Sequence, residues 1–97
     1  MKGVFIAFDQ AQKDAIIEAL DHLNCRGFSL FEQMQGRGSK TGDPHYGTHA
    51  WASMNSGIIT IVEDNIVDSL LASLKKIDEN APMLGVRAFV WNIEKCC

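Results

Sequence analysis

The sequence has little of several things. Three cysteines in 97 residues, set in no spaced framework, exclude a disulfide-stapled secreted scaffold and fit a reducing compartment. Lysine and arginine number 9 against 12 aspartates and glutamates, a formal net charge of −3. The basic excess of a general nucleic-acid binder is therefore missing, and any phosphate site must be a local cluster. No apolar run approaches a membrane span. Residues 4–8, which follow Met1-Lys2-Gly3 directly, are too few for a signal-peptide core. The expectation is a cytoplasmic protein with no nucleic-acid partner and no membrane insertion. Nor is there a nucleophile elbow or a paired-carboxylate site, so no enzyme is expected.

What is present is ordinary for one small globular domain: 46% hydrophobic and 22% charged residues over 1–97. Residues 3–8 alternate Val4, Ile6 and Phe8 with Phe5 and Ala7, so both faces of this strand are apolar. Asp9 with Gln12 three residues later predicts a capping box. The helix that follows carries Ile16, Ile17, Leu20 and Leu23 on one stripe, and Asn24 stops it. A second strand is expected over 26–35 and a third, almost wholly β-branched, over 57–62. Asp64 or Asn65 is expected to cap a second helix with Lys75 and Lys76 in its last turn. A connection over 78–85 leads to a last strand over 87–93. The order βαββαβ predicts an α+β, ferredoxin-like fold, a four-stranded antiparallel sheet with two helices on one face. Apolar residues on both strand faces, Phe89 and Trp91 among them, predict that oligomerisation covers the other face.

Between the second and third strands lies the long segment 36–56, opened by Gly36, Gly38 and Gly42 with Arg37 and Lys40 among them. Glycine permits positive φ or the approach of a ligand to bare backbone N–H groups, and the cations favour an anion there. The spacing is neither a P-loop nor a dinucleotide fingerprint.

Three motifs in order make the chain resemble the PII superfamily of small signalling proteins. Gly36, Gly38 and Gly42 match its G-x-G-x-x-x-G signature at the base of a long T-loop. The strand 58–62 runs into Asp64-Asn65-Ile66-Val67-Asp68, matching D-[DN]-I-V-D, and Phe89-Val90-Trp91-Asn92-Ile93-Glu94 matches the closing F-V-[FW]-x-[VI]-E. The resemblance implies a homotrimer with a small-molecule effector, typically ATP, ADP or AMP, in a cleft between subunits. It also implies a T-loop, here 36–56, that docks on a protein partner such as a transporter or enzyme. Family contacts fall on Gly36, Arg37 and Gly38, with Ser39 and Lys40 following, and on Arg87 facing the phosphates. Where typical members place T-G-x-x-G-D-G-K, this chain has Asn80-Ala81-Pro82-Met83-Leu84-Gly85-Val86-Arg87, with one glycine and one cation. Within the loop, His45, Tyr46 and Trp51 are the residues expected to meet the partner.

A second constellation is His45 and His49, four apart in the same loop, where Pro44 and Gly47 oppose a helix. With Cys96 and Cys97 in the tail 94–97, they form an alternative, CutA-like site for a divalent metal, since imidazole with thiolate suits zinc or copper. Cys25 reads instead as a small buried hydrophobe.

Overall fold

The computed structural model describes residues 1–34, 36–37, 44–45 and 55–97. Strand β1 (Lys2–Asp9) buries Val4, Ile6 and Phe8 completely or nearly so. It ends in the expected capping box. The Asp9 carboxylate accepts from the Ala11 N–H at 2.8 Å, and Gln12 Oε1 accepts from the Asp9 N–H at 3.2 Å. A 3₁₀ turn then leads into helix α1 (Lys13–His22), which buries Ile16 and Leu20. Asn24 adopts φ 63°, the left-handed conformation that asparagine tolerates, and the Cys25 N–H folds back to the Leu20 carbonyl at 2.8 Å.

Strand β2 (Phe28–Met34) follows, then the two-residue strands β3 (Gly36–Arg37) and β4 (Pro44–His45), paired with each other. Strand β5 (Asn55–Val62), a second 3₁₀ turn (Asp64–Ile66), helix α2 (Val67–Asn80) and strand β6 (Val86–Asn92) complete the chain. The main sheet has the order β2-β5-β1-β6 with all neighbours antiparallel. Ile16 and Leu20 of α1 and Leu70 and Leu74 of α2 share one core with Val4, Ile6, Phe8, Ile58 and Val62. The ferredoxin-like expectation holds.

Three local expectations change. The 36–56 segment is not one unbroken loop, because β3 and β4 pair inside it and β5 begins at Asn55 rather than at residue 57. Ser56 is buried, and its hydroxyl donates to the Glu32 carbonyl at 2.6 Å, which extends the pairing with β2. Asp64 does not cap α2. Its carboxylate takes the Met1 ammonium at 2.9 Å and stands 4.0 Å from Lys2 Nζ; Glu63 caps the 3₁₀ turn and Ile66 the helix, neither with a side-chain bond. Lys75 and Lys76 fall short of the last turn, since α2 continues to Asn80 before Pro82 prevents further extension.

Candidate functional site

Register decides which side chains meet on the sheet face away from the helices. Trp91 lies opposite Gly3, and Gly3 opposite Ile61. One step along, Phe89, Phe5, Ile59 and Ser29 form a row. Two residues further along β1 come Arg87, Ala7, Gly57 and Phe31. Phe31, Ile59, Ile61, Phe89 and Trp91 remain exposed in the single chain. Two glycines make this face fit together. A Cβ on Gly3 would lie 2.5 Å from Trp91 Cε2, and one on Gly57 would lie 2.6 Å from Met34 Cε. The absent side chains are the space that the indole and the thioether fill.

The Arg87 row lies at one end of the sheet. Met34 and Asn55, the strand residues from which the 36–56 segment departs and to which it returns, pair with each other there, and Asn55 also faces Asp9. Val86 faces Phe8 at the same end. Arg87 is exposed, so its guanidinium is available to solvent and ligand. Between Arg87 and Phe31 the row holds two small residues, Ala7 and Gly57. Composition could not show this row, because it depends on three registers at once.

The connection that delivers Arg87 is tightly wired. The Ala81 N–H donates to the Asp78 carbonyl at 3.2 Å and the Leu84 N–H to the Ala81 carbonyl at 3.0 Å. Gly85 takes φ 79°, where a side chain would be strained. The Val86 N–H then donates to the Asp78 carboxylate at 2.8 Å. Nothing in the sequence flags this last bond, since Asp78 reads there as the first residue of the 78–85 connection, whereas it lies within α2.

Of the other expected wall, Gly36 and Arg37 are placed as β3, with Gly36 opposite His45 and Arg37 opposite Pro44. Gly38, Ser39, Lys40, Tyr46, His49 and Trp51 lie outside the described residues. Cys96 and Cys97 are exposed and unbonded to each other. Their tail leaves β6 beside Lys2, where the Ile93 N–H donates to the Met1 carbonyl at 3.3 Å. That is the end of β1 away from Met34 and Asn55. Among the described residues there is no group of three or more His, Cys, Asp or Glu side chains able to hold a metal. Also among them, no helix is long and apolar enough to cross a membrane.

A ferredoxin-like sheet with a long insertion between its second and third main strands, and a cation at the same end of the sheet, defines a recognisable class of small α+β protein. The family model of nitrogen regulatory protein P-II matches residues 1–97, and the chain belongs to that family. The fold is thus a PII-like regulatory one. Among solved structures, CPII of Thiomonas intermedia K12, a nitrogen regulatory PII-like protein bound to ADP, AMP and bicarbonate, superposes with a TM-score of 0.78. It is 22% identical over 95% of this chain and 84% of that one. Its apo form gives 0.67 at 20% identity over 95% and 89% of the two chains. A Thermus thermophilus protein classed as PII-like in signalling gives 0.67 at 23% identity over 95% and 85%. At these identities the likeness is one of fold. No curated protein matches the chain in sequence.

Proposed function

We propose that this chain is a non-enzymatic, cytoplasmic signalling protein that binds an adenine nucleotide, ATP, ADP or AMP, between subunits of a homotrimer. Gly36, Arg37, Gly38, Ser39 and Lys40 form one wall of the site and Arg87 the other. Occupancy changes the 36–56 loop, which offers His45, Tyr46 and Trp51 to a protein partner, a transporter or an enzyme. The observation that carries the reading is the exposed Arg87 at the sheet end where that loop departs and returns, in a chain matched by the P-II family model over its whole length. A guanidinium offers paired donors in the geometry that a phosphate accepts. The nucleotides in the related CPII crystals supply the ligand class. The exposed Phe31, Ile59, Ile61, Phe89 and Trp91 favour the trimer, since a lone small domain rarely leaves so large an apolar face to water.

Calorimetric titration of ADP into wild type and Arg87→Ala tests the site. Loss of a charge-assisted contact should weaken binding roughly tenfold to a hundredfold while the melting temperature stays put. Equal affinity in the two proteins removes Arg87 from the site.

A further inference from the structure

The α2–β6 connection is poor in what a polyphosphate needs. Holding a chain of phosphates takes converging backbone N–H groups and several positive charges. Here the amides are already committed. Ala81, Leu84 and Val86 donate internally, and Pro82 has no N–H. Met83 and Gly85 are the remaining amides in this stretch. Charge tells the same way. Between residues 78 and 87 there are two acids, Asp78 and Glu79, and one cation, Arg87. One of those acids is fixed against the amide adjoining that cation, through the 2.8 Å bond from the Val86 N–H to the Asp78 carboxylate. The outermost residues of the turn are apolar, with Met83 97% exposed.

We propose that this connection makes the nucleotide site prefer one phosphate to three, with Asp78 as the specificity-determining residue. The inference rests on the reading of Arg87 as a phosphate contact and narrows it to a ligand class. On this wall, one guanidinium and two amides match the donor demand of a single phosphate. Further phosphates would meet no second cation from this wall and would lie near a fixed carboxylate. Asp78 acts at a distance, through charge and through the amide it occupies, and is a positioning residue.

The test is calorimetric titration of AMP, ADP and ATP, each with and without Mg²⁺, into the wild-type protein, Asp78→Asn and Met83→Lys. Wild type should bind AMP about tenfold more tightly than ATP, with ADP between them. Asp78→Asn keeps an acceptor for the Val86 N–H and removes the charge, so ATP should gain affinity more than AMP does. Met83→Lys adds a cation at a fully exposed position that folding does not depend on, and should narrow the gap in the same direction. ATP bound as tightly as AMP in wild type overturns the preference and leaves the nucleotide reading standing. An AMP-to-ATP ratio unmoved by either variant overturns the role given to Asp78 and the turn. Absence of binding by all three nucleotides overturns this inference and the reading beneath it together.

Discussion

The two faces of the sheet are built from neighbouring residues of the same strands, yet they have different fates. Ile58 and Ile59 are adjacent in β5 and chemically identical. Ile58 is fully buried against the helices, whereas Ile59 is 37% exposed on the other side. In β1, Ile6 belongs to the helix core while its neighbour Phe5 lies in the row of Phe89 and Ile59. Folding of one chain satisfies only the first face. The second face, rich in large apolar side chains, stays exposed, and the proposed trimer would cover it. Alternation along a strand thus encodes the helix-side core on one parity and an exposed apolar face on the other.

The largest expected effect tests that division directly. Ile58→Ala removes a buried side chain with no route for water to replace it and should cost about 3 kcal/mol. For a chain of this size that is roughly 15 °C of melting temperature. Ile59→Asp, one residue away, should leave the far-UV circular dichroism native-like. Light scattering should instead show the mass falling from three chains to one, because a carboxylate cannot be buried unpaired in an apolar interface. If Ile59→Asp unfolds the chain while Ile58→Ala does not, the assignment of the faces is reversed. A wild type that runs as one chain would remove the interface altogether.

A smaller effect is expected at Gly3. The added methyl of Gly3→Ala would collide with the Trp91 indole, at 2.5 Å from Cε2 and 2.6 Å from Cζ2. The indole is 43% exposed and can swing outward, so the backbone need not move. The cost should be about 1 kcal/mol in the folded chain, read mainly as a changed tryptophan emission. An unaltered spectrum would mean that the indole does not rest on Gly3.

Much of this is legible in the residues alone. The alternation in β1, the β-branched run of β5 and the Asp9–Gln12 cap each name their own local structure, and all three are found. The two-sided apolar strands are likewise visible as residue types. What escapes depends on groups that meet only after the chain has folded. Asp64 has the chemistry of a helix cap, but β1 pairing with β5 brings the Met1 ammonium to it, and a full charge outcompetes a backbone N–H. Asn55 and Ser56 read as loop residues until the Glu32 carbonyl supplies a partner for Ser56. The site divides in the same way. Arg87 is visible as a lone cation opening a strand, whereas the Ala7–Gly57 pairing and the Asp78 clamp exist only through register and the return of the chain after Gly85.

The smallest effect concerns the thiols, which sort by the same distinction between covered and uncovered surface. Cys25 is 8% exposed beside the core, and burial pushes its thiol above the ordinary range. Cys96 and Cys97 are exposed. A thiol reagent at neutral pH should therefore label two positions quickly and the third only on unfolding. The linkage sign follows from the direction of the shift. The folded state holds the Cys25 proton more tightly than the unfolded chain, so the stability this contributes is complete below the unfolded thiol value. It is lost as pH rises through that value towards the higher folded one. Above about pH 8.5, the melting temperature of wild type should fall more steeply than that of Cys25→Ala, whose overall stability is lower but lacks this titration. Parallel pH profiles for the two proteins would show that Cys25 is not shielded as its place in the core requires.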